Sequence, residues 1–368
     1  MSERPLGRIA ARIANNNTHI FNTGRTGTSI GELLHRLDHD VQTAKDVLDL
    51  TPLELQKLLD IPLWEAKELL EMVSIETAPK IHTLLRLQQS DSLCNRTGIR
   101  ELDSALRGGL RSGHIHEIVG RAGAGKTQFC LTLAVVVAST GRGVIYIDTE
   151  NKFSAERIVE IASSRKFLMS VEEIAKRVIV IKPSNSKQVL KQLQGMEAVI
   201  ISNKVGLVLV DSIAALVRLD YSTRSRIVAR QRMLSKQASQ LKYLANAFSI
   251  PILVTNQVSS FDGAVSLKTA EGVSLECTSS EPSYAMFNPA LGNTWAHCVN
   301  VRILLEVISE QQTTRRLRIV KSPSCAAKTV YVDLTISGII GTNENSALRQ
   351  DQYFLNSLSK EELDDILS

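Results

Sequence analysis

Between residues 30 and 73 apolar side chains recur at three- and four-residue spacing: Leu33, Leu34 and Leu37, then Leu53, Leu55, Leu58 and Leu59, then Ala66, Leu69 and Leu70. That period gives each of several short helices one apolar face and predicts a small all-α domain over residues 30–78. Thr51-Pro52 supplies a helix start, a hydroxyl that caps and a proline whose missing N–H costs nothing in the first turn. Asp60-Ile61-Pro62 supplies a break. Two helices joined there can form a helix-hairpin-helix, but the glycines that let such a hairpin approach a phosphate are absent, which leaves protein contact or simple packing as the plainer reading. Pro79 and the polar Gln88-Gln89-Ser90-Asp91-Ser92 run mark a linker over 79–96.

From Thr97 the period changes. Apolar runs at 115–119, 144–147, 178–181, 207–210 and 252–254 alternate with helical stretches, the pattern of strands buried on both faces. This predicts an α/β core with a central, mainly parallel sheet over residues 97–342. After Trp295 the runs at 299–307, 317–320 and 330–336 follow one another, with a turn at Gln311-Gln312-Thr313-Thr314, so that end of the sheet is expected to be antiparallel. Residues 343–368 read as a tail in which Ser359 and Glu362 can close a capping box on a short acidic helix.

Composition narrows this little. Of 368 residues 43% are hydrophobic and 22% charged, ordinary for a globular chain. No run approaches eighteen apolar residues, so no membrane span is expected. The five cysteines, Cys94, Cys130, Cys277, Cys298 and Cys325, are scattered without a CxxC pair, which fits a reducing compartment. Arg4, Arg8, Arg12 and Arg25 oppose only Glu3 in the first 29 residues. A transit peptide shares that bias, but the Asn15-Asn16-Asn17 run and the poor periodicity read as a disordered, solvated tail.

The strongest local signal is Gly120-Arg-Ala-Gly123-Ala-Gly125-Lys126-Thr127, a GxxxxGK[ST] match between a strand and an apolar helix. Its glycines let successive N–H groups turn towards phosphate oxygens, and the helix adds its positive end. Lys126 is then expected on the β and γ phosphates of ATP and Thr127 on Mg2+. Asp211 closes the apolar run Leu207-Val-Leu-Val and is the second expected metal group. Ile145-Tyr-Ile-Asp148-Thr-Glu150 offers two carboxylates. Strand alternation places both on one side, with Glu150 further out, so Glu150 is taken as the group that orients the attacking water. Thr255-Asn256-Gln257 ends another strand, and an amide there, Gln257 in particular, can sense the γ phosphate.

With Glu150, Asn256-Gln257, the lead-in Thr97-Gly98-Ile99-Arg100-Glu101-Leu102-Asp103 and the extended match Gly113-His-Ile-His-Glu117-Ile through Gln128, residues 97–340 resemble the RecA family of DNA recombinases. Within it the chain is most similar to eukaryotic recombinase paralogues of the B type, on Phe153-Ser-Ala-Glu156-Arg157, Gly292-Asn-Thr-Trp295-Ala-His297 and Lys321-Ser-Pro323. The resemblance implies a RecA-like P-loop ATPase core in which Gln128 belongs to the nucleotide site and Arg157 packs on adenine. It further implies a first DNA loop carrying Arg224, a second DNA loop over 259–291, and a His297 that links this loop to a neighbouring nucleotide. A nuclear location follows from the resemblance alone.

Charge supports a polyanion. Between Arg218 and Lys242 seven basic residues, among them Arg218, Arg224, Arg226 and Arg230, face the single acid Asp220. Two departures from the recombinase pattern stand out. Where filament-forming members carry a Phe-x-x-Ala anchor, this chain has Ile81-His82-Thr83-Leu84, a plug without an aromatic ring that buries less area. Lys321 stands where an acid is usual in the strand-exchanging members, and can offer a positive charge to a neighbour's γ phosphate. The expected function is a DNA-dependent ATPase, weak alone, in homologous-recombination repair. It is expected to join other recombinase paralogues in a hetero-oligomer, bind single-stranded or branched DNA, and help the main strand-exchange recombinase assemble. An autonomous strand-exchange recombinase and an ATP-binding structural adaptor are the alternatives.

Overall fold

Two threonines start the first helices. The computed structural model describes residues 41, 43–78, 83–85, 94–257, 291–308 and 313–342, in two units divided between Asp91 and Ser92. In the first unit, helices α1 (Ala44–Leu48), α2 (Pro52–Leu59) and α3 (Leu63–Thr77) follow one another. Thr43 and Thr51 each form a capping box, with Asp46 and Glu54 respectively, which satisfies N–H groups that an α-helix leaves open at its start. Asp60 ends α2 in the left-handed conformation. Leu55, Leu59, Ala66, Leu69 and Val73 form one core with Ala44, Val47 and Ile61. Leu53 and Leu58, equally apolar, point outward. The expected helices around Leu33–Leu37 lie outside the described residues, as do the tails 1–29 and 343–368.

In the second unit β1 (Cys94–Asn95) pairs with β2 (Leu110–Arg111) around α4 (Arg100–Ala105). The core therefore begins inside the stretch read as linker, because Cys94–Asn95 pairs with a strand too short to show a period. There follow β3 (Ile115–Gly120), α5 (Lys126–Ala138), β4 (Gly143–Asp148), α6 (Ala155–Ser164), α7 (Val171–Lys176), β5 (Val178–Ile181), α8 (Ser186–Gln194), α9 (Glu197–Ser202) and β6 (Val205–Asp211). Then come α10 (Ala215–Asp220), α11 (Ile227–Phe248), β7 (Ile252–Gln257), α12 (Gly292–Cys298), β8 (Val301–Val307), β9 (Thr314–Lys321), β10 (Thr329–Thr335) and β11 (Gly338–Gly341).

Nine strands form one sheet in the order β11-β10-β9-β8-β3-β7-β6-β4-β5. From β5 to β8 the pairings are parallel, and β9, β10 and β11 are antiparallel. The antiparallel end expected after Trp295 is present: β8 runs parallel to β3 and antiparallel to β9. Strands β3, β4 and β6 are buried at every position, as strands covered on both faces must be. Alternation sends Ile118, Tyr146, Leu209 and Leu253 to the face covered by α5. It sends Ile115, Ile147, Val210 and Val254 to the opposite face with Leu234 and Leu241 of α11. In register, Gly120 stands opposite Gln257 and Asp148 opposite Asp211, so four strands end along one rim, where ligands bind in open α/β sheets. Gly338 fixes the last hairpin against α5. Its φ is +81°, and a Cβ there would sit 2.2 Å from Thr132 Oγ1, a combination open only to glycine.

His116 on β3 is 1% exposed, with Nε2 3.2 Å from the Arg111 carbonyl. Burial is the main reason its pKa falls to about 4; the Arg111 carbonyl opposes the shift and His114 adds to it. Because the folded-state pKa lies below the unfolded one, stability is full above the unfolded value of about 6.5 and is lost as pH falls towards 4. Between about pH 7.5 and about pH 5 the protein is expected to lose about 2 kcal/mol more than His116→Gln, measured by urea unfolding at both pH values; equal losses would exclude this origin.

Candidate nucleotide site

β3 runs into the loop at Gly120, where a Cβ would lie 2.4 Å from the Leu305 carbonyl oxygen. Gly125 caps α5 with φ +109°, and nothing lies within 4 Å of the Cβ position of Gly123. The loop is therefore pressed against β8 on one side and open on the other. Lys126 begins α5 and donates from Nζ to the carbonyls of Gly120 and Arg121, both at 2.8 Å. Burial lowers its pKa, against the attraction of Asp211 and Glu150.

Asp211 ends β6 and is 4% exposed. Three hydroxyls donate to its carboxylate: Thr127 and Tyr146 to Oδ2, each at 2.8 Å, and Thr255 to Oδ1 at 2.5 Å. These come from α5, β4 and β7. Burial, then the charges around it, raises the Tyr146 pKa, so this hydroxyl remains a donor. Neither Tyr146 nor Thr255 was singled out from the sequence, although both lie on the Asp211 face by simple alternation.

Glu150 reaches the site by another route than the one expected. β4 ends at Asp148, so strand alternation does not extend to Glu150. Instead the buried Asp148 carboxylate accepts the backbone N–H groups of Glu150, Lys152 and Phe153, at 3.0 to 3.3 Å, and curls the loop around itself. Glu150 then accepts from Ser212 Oγ at 2.6 Å and pairs with Lys152. Burial pushes its pKa up, but the hydrogen bonds from Lys152 and Ser212 and the charges of Lys152 and Lys126 outweigh this, and the net shift is downward.

Arg157, near the start of α6, donates in plane to Gln128 Oε1 at 2.9 Å, to the carbonyls of Thr335 and Ile336, and to Glu160. These bonds hold the guanidinium by its N–H groups. Asn256 departs from the pair read with it: its amide donates to Glu117 at 3.0 Å on the other face of the sheet. Gln257 alone stands beside Gly120.

Among the basic residues, Arg218 on α10 is half-buried and reaches the Gln257 carbonyl at 3.4 Å. Burial lowers its pKa first, then the Arg230 charge, while Glu150 raises it. Arg224 and Arg226 form a single 3-10 turn ahead of α11. Arg226 is exposed, and the buried Nε of Arg230 has no partner. Nearly all of the second loop, residues 258–290, lies outside the described residues, as does Ile81. Leu84 is 82% exposed. On α12 His297 is exposed, and Lys321 donates to the Ala296 and Val299 carbonyls, both at 2.7 Å. Any service of Lys321 to a neighbour's phosphate requires giving up that helix end.

Comparison with known proteins agrees with both units. Residues 88–342 match the Rad51 family model, and residues 29–76 match the XRCC3/RpoA-like helix-hairpin-helix domain. Among curated relatives, the DNA repair protein RAD51 homolog 2 of Homo sapiens is 37% identical over 317 residues, 79% of this chain and 82% of the relative. Its Mus musculus counterpart is 38% identical over 332 residues, covering 83% and 93%. That of Arabidopsis thaliana is 32% identical over 326, covering 83% and 86%. No helix among the described residues is long and apolar enough to cross a membrane. On these matches, and with a phosphate loop, a buried strand-end aspartate and a nearby carboxylate on one rim of its sheet, the chain belongs to the Rad51 family and carries that family's ATPase domain.

Proposed function

We propose that the chain is a DNA-dependent ATPase of homologous-recombination repair that works in the nucleus as one subunit of a recombinase-paralogue complex. The observation that carries the catalytic part is the meeting of Thr127 with Asp211 beside an open glycine loop. Lys126 supports it: its ammonium donates to two loop carbonyls, acceptors that a phosphate oxygen would replace. Gly120, Gly123 and Gly125 leave room for the backbone to approach the phosphates, and Gln128 orients Arg157 for adenine. Thr127 and Asp211 suit a Mg2+ ion, whose charge would offset that of the phosphates. Asp211, whose carboxylate accepts three hydroxyls, would hold such an ion through water, beside the Thr127 hydroxyl.

Glu150 orients the attacking water once Lys152 has moved aside, and Gln257 reports the γ phosphate to the strand end. Arg218, Arg224, Arg226 and Arg230 meet the DNA backbone, single-stranded or branched. The partners are other recombinase paralogues and the main strand-exchange recombinase. The exposed Leu84, with Ile81, supports a weak hydrophobic plug for a neighbouring subunit rather than a strong self-polymerising one, and His297 and Lys321 lie at that boundary.

Three measurements test this. Lys126→Ala removes a charged donor worth about 1.5–3 kcal/mol. Nucleotide affinity should fall by about 10- to 100-fold by fluorescent-nucleotide titration, with turnover on DNA abolished; intact binding and turnover would end the reading. Tyr146→Phe deletes one of two donors on Asp211 Oδ2 at constant shape. The Mg2+ concentration that half-supports nucleotide binding should rise about tenfold, one charged hydrogen bond, with the melting midpoint lowered by no more than the several degrees that one buried bond contributes. For DNA, three phosphate contacts predict a slope of log affinity on log salt of roughly −2 to −3, which should collapse when Arg224, Arg226 and Arg230 are changed together to Ala. An unchanged slope in that variant would move the DNA site elsewhere.

A further inference from the structure

Glu117 is fully buried on β3, three residues before the phosphate loop, on the face of the sheet turned away from α5. Three elements converge on its carboxylate. Asn256 Nδ2, at the end of β7, donates to Oε1 at 3.0 Å, and Trp295 Nε1, on α12, donates to the same oxygen at 2.7 Å. Arg302 Nε, on β8, donates to Oε2 at 2.5 Å. A core that needed only packing would not use a charge here, because an apolar set of similar volume avoids the desolvation of both ions. The network is also left open: Asn256 Oδ1 and Arg302 Nη2 are buried without a partner. A fully satisfied network locks one arrangement, whereas one with spare donors and acceptors can take up another.

Its position gives that freedom a direction. In the sheet register Asn256 stands beside Val119 and Gln257 beside Gly120, so a shift of the strand end at the phosphate loop moves Asn256 directly. Through Glu117 the same shift pulls on Trp295, and with it on α12, whose far end is held by Lys321 and whose surface carries His297. We infer that Glu117 is a positioning residue that relays nucleotide occupancy from the phosphate loop to α12 on the opposite face of the sheet. The relay rests on the nucleotide-site reading above and deepens it.

The chain's only tryptophans are Trp64 and Trp295, which allows a direct readout. In full-length protein carrying Trp64→Phe, Mg2+ with a non-hydrolysable ATP analogue is expected to shift Trp295 emission. In the same background Glu117→Leu, which leaves no acceptor for Asn256 or Trp295, should abolish the shift while nucleotide affinity, measured separately by calorimetry, changes by less than about fivefold, the small end of an allosteric coupling. Asn256→Leu cuts the link from the strand end and leaves the Trp295 bond to Glu117 in place, so it should abolish the shift as well, and it guards against a Glu117 variant that does not fold. Persistence of the emission shift in either folded variant overturns the relay. So does a parent protein that binds the analogue with no shift, and so does loss of folding in both variants, which would assign Glu117 to the core alone. A parent that fails to bind the analogue overturns the nucleotide-site reading instead.

Discussion

A buried carboxylate must find donors, and Asp211 finds all of its own from other elements. Thr127, Tyr146 and Thr255 are brought to it by α5, β4 and β7, so the ends of three strands and the start of the phosphate helix are tied at one point. Each bond contributes about 1.5–3 kcal/mol to a charged acceptor, and leaving the carboxylate unpaired would cost more than any one of them. The site is in this sense a condition of the fold. β6 cannot end where it does unless α5, which is buried along most of its length, starts directly above it.

That tie explains which parts of the site could be read from residues alone. The glycine loop and Asp211 announce themselves, because backbone that must pass close to phosphate leaves glycines at fixed spacing and a central strand leaves an unbroken apolar run. Glu150 is positioned otherwise than strand alternation expects: its place depends on a loop wrapped around Asp148, and such wrapping has no period. Asn256 was paired with Gln257 as neighbours in sequence, yet neighbours on a strand face opposite sides, and the amide belongs to Glu117. The hydroxyls of Tyr146 and Thr255 stayed invisible because an alternating strand face reads as apolar packing until the carboxylate across it is known.

Elsewhere legibility followed the length of the period. The capping threonine, its proline and the break at Asp60 are local chemistry, and all three stand where the sequence put them. β1, β2 and β11 have at most four residues each, too few to show alternation. They exist because neighbours supply pairing and, at Gly338, because Thr132 lies too close for a side chain. The antiparallel end was legible from consecutive apolar runs joined by a short turn, whereas the parallel pairing of β8 with β3 was not, since it joins strands far apart in the chain.

The groups that face the rim share one condition that bears on activity. Lys126 is bonded to its own loop, Glu150 to Lys152 and Ser212, and Arg157 to the last hairpin. Phosphate can displace the first of these, since it offers Lys126 charged oxygens in exchange for neutral carbonyls. Glu150 is held by an exposed ammonium, a pair worth about 0–1 kcal/mol, so a competing negative charge, that of the phosphates included, or a shift of the loop around Asp148 is enough to release it. Arg218 lies close enough to feel both Glu150 and Arg230, and a DNA phosphate that drew Arg218 away would leave Glu150 more strongly held by Lys152. In the proposed reading DNA alone therefore does not free the carboxylate, and release falls to the negative charge that approaches Lys152.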